Sequence, residues 1–446
     1  MPPWFSRLAA PFIADHLAHL YRHSVHMSHV PVQWKCATIT PVPKISSPVR
    51  PADYRPISVL PLYSTLLEKL LIRRYIYPLF LVPPLSLSLG DQYAFRPTGS
   101  TTAAIIGLIH HTTTMLATEP FVHIISLDFS KAFDVARHET LFDKLSDLPL
   151  PDSVYSWLLS FFTNRSHRTK FSGVTSSQDC INSSVVQGSA LGPPMFVIST
   201  SDLKVVTPGN VYVKYADDAT LIVPASNTSS IPDELANVEA WSRRNNQALN
   251  RSKIAEMVVS CRWTRGLVLP PLLDGVSRAD TLLLLGVVLD KHILFAQHVT
   301  RSLAQAAQSM YALKVLQTSG LPQRSLDLIC RATLVARIMY ASTCWWGAIS
   351  AADRARLQAT LDRVARWGLC SWPPLQLADL CARADRTLFG TILAGGSHVL
   401  LPLLPPPRQH NYNLRQRAHN LTVPMRDKFT DLNFLRRMLF GPRAPN

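Results

Sequence analysis

The sequence predicts an α+β protein, with strands gathered in its first two thirds and helices dominating the remainder. Three observations lead there. Short apolar runs rich in β-branched residues recur at 122–128, 211–223 and 282–290, and runs of that length and composition read as buried strands. Beyond residue 300, Leu303, Ala306, Met310 and Leu313 return at three- and four-residue steps, the spacing of one helix face. At 446 residues the chain exceeds the size at which a single core usually stops growing, so two or three subdomains with a shared interface are expected.

The elements follow in order. Residues 1–30 are expected to form a helical lead-in. Pro41, Pro43, Pro48 and Pro51 then impose an extended, turn-containing segment, because proline fixes φ and removes a backbone donor. Helix resumes from about Ser64. Ser100 is placed to cap a helix running from Thr101 towards Met115, its hydroxyl accepting an amide N–H that the helix start leaves unpaired. Val122–Asp128 reads as a strand that ends on the aspartate. Val211, Val213 and Tyr215 alternate, and so do Ala219, Leu221 and Val223. Ala216, Asp217 and Asp218 between them should form a hairpin turn, a geometry that aspartate tolerates. Pro232 should open a helix through Leu235, Val238 and Trp241, and Leu282–Asp290 reads as one further strand. Gly320 supplies a helix stop. A later helix, Ala351 to Trp367, carries Leu357, Leu361 and Val364 on one side, with Arg354, Arg356, Arg363 and Arg366 distributed around it. After Trp372-Pro373-Pro374 the periodicity weakens, and 402–408 reads as a linker.

Lys and Arg number 45 against 29 Asp and Glu, a formal charge of +16, which suits a polyanionic partner such as nucleic acid. Cys36, Cys180, Cys261, Cys330, Cys344, Cys370 and Cys381 are scattered and lack metal-ligand spacing. That argues against a zinc site or a disulfide framework and fits an intracellular compartment, nucleus or cytoplasm. The N-terminus has no basic region followed by a sustained apolar core, so secretion is not expected. The most apolar run, 75–89, is interrupted by Pro78, Pro83 and Pro84, which argues against a membrane-spanning helix.

Asp128 at a strand end and Asp217 and Asp218 at a hairpin tip could meet on adjacent strands of one sheet. Carboxylates of this kind bind hard divalent cations. Two such cations can stabilise both the attacking hydroxyl and the departing pyrophosphate of a nucleotidyl transfer. Carboxylates at sheet-edge turns are also common where no metal binds, so the spacing alone does not decide. The surrounding strings do: LDFSKAFD at 127–134, QGSALGP at 187–193 and YADD at 215–218 occur in that order. WKCATITPVPK at 34–44, YRPISVLP at 54–61 and QYAFRPTGSTT at 92–102 precede them, and LNRSK at 249–253 and LGVVLD at 285–290 follow. This ordered series resembles the reverse transcriptases of non-LTR retrotransposons of the jockey-like kind. The resemblance covers roughly residues 30–290, and the helical region to about 370 looks like the thumb.

The resemblance implies a right-hand polymerase fold, with a palm built on an antiparallel sheet with helices packed on one face and a mainly helical thumb. Its boundaries would be fingers with part of the palm at 31–120, palm at 121–295, thumb at 296–370, and a partly linker-like tail at 371–446. It implies an RNA-directed DNA polymerase that transfers dNTPs onto a primer 3′-hydroxyl, with an RNA template and a DNA primer as partners. The implied cofactor is a pair of Mg²⁺ ions, with Mn²⁺ as an alternative. Asp128 and Asp217 would be the metal ligands, with the backbone carbonyl of Phe129 completing a coordination position and Asp218 a supporting carboxylate. Lys253 would protonate the departing pyrophosphate, and Arg55 would grip the triphosphate with Lys44 and Arg96 as helpers. Phe133 would sit beneath the incoming sugar and exclude a 2′-hydroxyl, while Gln187 and Gly188 would line the nascent base pair. Each has a plainer reading: core phenylalanine, solvated cation, simple turn. Two departures are visible, Val186 where the family usually has proline and Ile254 where threonine often stands; the first bears on loop rigidity.

Such elements generally carry an endonuclease, and the residues before 30 leave no room for one, so the chain is expected to be a fragment or truncated copy. No RNase H-like carboxylate set is expected after the thumb. The YNLRQRAHN string at 412–420 resembles tails found in some of these elements. The rival readings are a catalytically inactive relic acting at most as an RNA-binding module, and an RNA-templated RNA polymerase. Intact carboxylates with Phe133 argue against the first; Phe133 with the YADD string argues against the second.

Overall fold

The computed structural model describes residues 3–130, 132–181, 183–260, 268–408, 419–427, 429–430 and 432–440. In chain order the strands begin with β1 (Cys36–Pro43), β2 (Tyr54–Val59), β3 (Phe121–Leu127), β4 (Phe129–Ser130), β5 (Arg165–Phe171), β6 (Val174–Thr175) and β7 (Asp179–Ile181). They continue with β8 (Val211–Tyr215), β9 (Asp218–Pro224), β10 (Ala248–Leu249), β11 (Ala255–Ser260), β12 (Ser277–Arg278), β13 (Thr281–Leu284) and β14 (Val287–Asp290). Two compact units interleave along the chain: residues 1–97, 128–204 and 233–250 form the first, and 98–127, 205–232 and 251–446 the second.

In the first unit the expected helical lead-in is the helix Pro3–His26. The proline-rich segment becomes β1 and β2, paired antiparallel from Thr38 opposite Val59 to Pro43 opposite Tyr54. On its other edge β1 pairs with β5 in parallel, only over Cys36 to Ile39. Pro41 and Pro43 therefore lie beyond the reach of β5, where a strand can lack an N–H donor without breaking a ladder. The helix Leu62–Leu71 buries Ser64, Leu67, Glu68 and Leu71, one face at three- and four-residue spacing. Leu67 and Leu71 share a core with Ile76, Phe80, Trp157, Phe161 and Phe162.

The second unit is organised around a five-stranded sheet in the order β12-β11-β3-β9-β8. Central β3 runs antiparallel to both β9 and β11, and Val122, Ile124, Ile125 and Leu127 are all at most 2% exposed. Burial on both faces explains why this strand reads as a continuous apolar run. The helix Thr101–Met115 starts where expected, with the Ser100 hydroxyl accepting from Ala103 N at 3.1 Å. Leu282–Asp290 differs from expectation: it is the hairpin β13–β14, turning at Leu285 (φ 47°) and Gly286 (φ 84°). Glycine adopts that left-handed backbone without a Cβ clash, which lets one apolar run fold onto itself.

The helix Ala296–Thr318 buries Ala306, Met310 and Leu313, and the helix Ala351–Arg366 buries Leu357, Leu361 and Val364. A further helix, Leu377–Ala394, stands where the sequence suggested weakening order. The tail is also built into this unit: the Asn433 side chain donates to Thr113 at 3.0 Å, and Arg437 pairs with buried Asp385 at 2.5 Å. Among the described residues no helix is long and apolar enough to cross a membrane. Cys36, Cys180, Cys330, Cys344, Cys370 and Cys381 are free thiols. Cys261 and residues 412–418 of the YNLRQRAHN string lie outside the described residues.

Candidate active site

Strand register decides where the acidic residues fall. In the second unit β3 closes against β9 with Leu127 opposite Ala219, and β8 closes against β9 with Tyr215 opposite Asp218. The hairpin turn is therefore two residues long, Ala216 and Asp217, and Asp218 opens β9 instead of sharing the turn. Asp217 is half-buried and Asp218 exposed. Ala216 holds φ at 57°, a left-handed conformation that costs a residue with a Cβ about 1–2 kcal/mol. Strain of this kind persists only where the surroundings enforce it, and it gathers at functional sites. Tyr215 and Asp218 border a cavity of about 60 Å³. That is far below the ~300 Å³ of a typical ligand pocket. Lys253 is exposed in the short turn Arg251–Lys253 that precedes β11.

The first unit gathers the other motif residues. Asp128, next in the chain after Leu127, is half-buried, and its carbonyl accepts the Asn250 N–H at 2.8 Å. Phe129 lies opposite Leu249 where β4 pairs with β10, so the LDFSKAFD and LNRSK strings are zipped together by main-chain bonds. The buried Phe129 ring meets Trp241 edge to face at 5.7 Å. Phe133 stacks on Phe196 at 4.2 Å and meets Phe95 edge to face at 6.4 Å. It is packed against the core and half-buried, so its ring is held in one orientation while part of it stays accessible.

Gln187 and Gly188 sit against β2, the strand that carries exposed Arg55. Ser58 N donates to the Gln187 carbonyl at 2.7 Å. A Cβ on Gly188 would lie 2.2 Å from Ser58 O, and its φ is 107°, so both space and backbone require glycine there. The Gln187 amide donates to Asp134 Oδ1 at 2.7 Å, a partner that fixes which way the amide points and that the sequence did not single out. Missed as well was Glu68, a carboxylate with no exposed surface. Burial pushes its pKa up, while N–H groups of Leu191 and Ala190 and the Ser64 hydroxyl favour the ionised form. A glutamate on the buried 64-67-68-71 helix face was the available signal.

The helpers fare differently. Arg96 donates to the carbonyls of Leu89, Gln92 and Phe80 at 2.5, 3.1 and 3.2 Å, and burial lowers its pKa; its guanidinium braces a loop. Lys44 donates to Ala52 O at 3.0 Å from an exposed position. Among the described residues no group of three or more His, Cys, Asp or Glu side chains is arranged to hold a metal ion. Magnesium in phosphoryl-transfer sites usually needs only one or two carboxylates, the remaining ligands being waters and substrate phosphates.

Residues 42–289, more than half the chain, match the family described as reverse transcriptase (RNA-dependent DNA polymerase). The chain belongs to that family. It is 24% identical over 371 residues to a probable RNA-directed DNA polymerase from transposon BS of Drosophila melanogaster, covering 79% of this chain and 40% of that protein. It is 25% identical over 345 residues to the RNA-directed DNA polymerase from mobile element jockey of the same species, covering 72% and 36%. The chain thus spans about two fifths of the length of these curated relatives. Among solved structures it is similar to telomerase from Candida tropicalis in complex with a fragment of telomeric RNA, with a TM-score of 0.45 and 12% identity over 88% of this chain and 68% of that one. Mixed helix and sheet with largely antiparallel strand pairing is consistent with a right-hand polymerase fold.

Proposed function

We propose that the chain is the polymerase part of a non-LTR retrotransposon enzyme, which adds deoxynucleotides to a primer 3′-hydroxyl on an RNA template. The observation that supports the reading is the match of residues 42–289 to the reverse transcriptase family, a span that carries Asp128 and Asp217. Asp128 and Asp217, with the Phe129 carbonyl, would hold two Mg²⁺ ions, or Mn²⁺ in their place; hard oxygen donors of this kind fit either. When bound, the ions would stabilise the charge on the attacking and leaving oxygens.

The remaining roles belong to the chain itself. Arg55 offers a planar, bidentate grip on the triphosphate. Phe133 limits the space beneath the sugar, and Gln187 and Gly188 present an amide and a Cβ-free main chain to the nascent base pair. Asp218 supports the neighbouring carboxylates, and Lys253 supplies a proton to the departing pyrophosphate. The fingers would span 31–120, the palm 121–295 and the thumb 296–370, with 371–446 following as the C-terminal segment. The Arg-bearing helices after residue 300 would track duplex phosphates without reading sequence. Free thiols throughout the described residues support an intracellular setting, nucleus or cytoplasm.

Primer extension tests the reading. The purified chain should extend oligo(dT) on poly(rA) with dTTP and Mg²⁺, and Asp217→Ala should abolish extension while leaving salt-sensitive RNA binding nearly intact. Extension undiminished by that substitution overturns the metal assignment, and a wild-type chain that binds RNA but never extends a primer favours the inactive relic.

A further inference from the structure

The loop that carries Gln187 and Gly188 is held from below by a group the chemistry does not use. Ala190 N and Leu191 N both donate to Glu68 Oε2, at 2.8 and 3.2 Å, and the Ser64 hydroxyl donates to Glu68 Oε1 at 3.0 Å. Glu68 has no exposed surface and belongs to a helix more than a hundred residues earlier in the chain. Above it the loop closes on itself: Ser189 N and Oγ reach Val186 O at 3.1 and 2.9 Å, and Gly192 N donates to Ser189 Oγ at 2.8 Å. Its upper side is pressed on β2, with Ser58 N bonded to Gln187 O and no room at Gly188 for a Cβ.

We propose that Glu68 is a positioning residue for nucleotide binding: its carboxylate clamps the amides of Ala190 and Leu191 so that Gln187 and Gly188 are held at a fixed height against β2. The inference rests on the reading that this loop lines the nucleotide. A buried carboxylate is a costly way to fill a core, since an apolar residue of similar size would pack there without losing hydration. A charge that accepts two consecutive main-chain N–H groups restrains a loop more strongly than neutral contacts would. The clamp also answers the rigidity question raised by Val186, which stands where a proline would otherwise stiffen the chain.

The test combines steady-state kinetics with amide hydrogen exchange on the full chain. Glu68→Ala should raise KM for dTTP roughly tenfold, as expected for losing charge-assisted bonds, with kcat little changed and with faster exchange at 186–192. Glu68→Gln, whose neutral oxygen can still accept both N–H groups while its amide turns to Ser64, should restore both in part. Ser64→Ala, which leaves the loop bonds in place, should change neither. If Glu68→Ala fails to fold, Glu68→Asp, shorter by one methylene, is read on the same two measurements. Unchanged exchange in a folded Glu68 variant, or glutamine that fails to rescue, overturns the proposal. Faster exchange with an unaltered KM overturns it too, and Gly188→Ala then identifies the failed premise. If Gly188→Ala also leaves KM alone, the loop is not the nucleotide site; if it raises KM, the loop is the site but works without the clamp.

Discussion

Phe133 shows how one residue can serve packing and selection together. Its ring is fixed between Phe196 and Phe95 while part of its surface stays open. A ring held by stacking cannot swing away from a larger sugar, so selection against the 2′-hydroxyl would follow from rigidity as well as bulk. Phe133→Ala should raise ribonucleotide use relative to deoxynucleotide by roughly tenfold or more, the scale of a lost steric contact, measured as the ratio of kcat/KM for UTP and dTTP. An unaltered ratio removes the gate. Ala216 is a second residue with a single defined strain: Ala216→Gly should relieve its left-handed backbone and stabilise the chain by about 1 kcal/mol, read as a higher unfolding midpoint.

At the scale of elements, the sheet of the second unit is cross-linked by charge as well as by its ladders. Glu256 on β11 bonds His123 on β3 at 2.6 Å and Arg278 on β12 at 2.7 Å, and none of its surface is exposed. Burial alone would raise its carboxyl, but the hydrogen bonds and charges of His123 and Arg278 outweigh that and hold it below the ordinary 4.5. A depressed carboxyl adds stability above its unfolded value and loses it as pH falls through the folded one. Glu256→Gln should therefore be about 3 kcal/mol less stable near neutrality, and the gap to wild type should narrow below pH 4.5 in denaturant titrations. A gap that stays constant with pH contradicts the ion-pair account.

Which elements were legible follows from the same forces. Ser100, the alternation on either side of Ala216 and the doubly buried run of β3 are local signals, and the structure follows them closely. The helix Leu377–Ala394 escaped because its buried face, Leu377, Cys381, Asp385, Phe389 and Ile392, has a carboxylate at its centre. That position can be buried only because Arg437, far along the chain, pairs with it. Glu68 escaped for the same reason, its donors being main-chain N–H groups of residues 190 and 191. The single strand expected at Leu282–Asp290 became a hairpin because one glycine permits a turn that apolar composition hides.

At the scale of the molecule, the units interleave: the chain passes between them after residue 97, at 128, after 204, at 233 and after 250. The segments that alternate are those bearing the family motifs, so residues distant in sequence must converge for chemistry to occur. The central claim is that Asp128 and Asp217 hold metal jointly, and localised cleavage by iron(II) substituted for magnesium tests it most directly. With template, primer and dTTP present, hydroxyl radicals generated at the site should cut the wild-type chain near both 128 and 217, and either Asp128→Ala or Asp217→Ala should abolish both cuts. Cleavage near one position only, or cuts near 128 that survive in Asp217→Ala, would contradict a shared site.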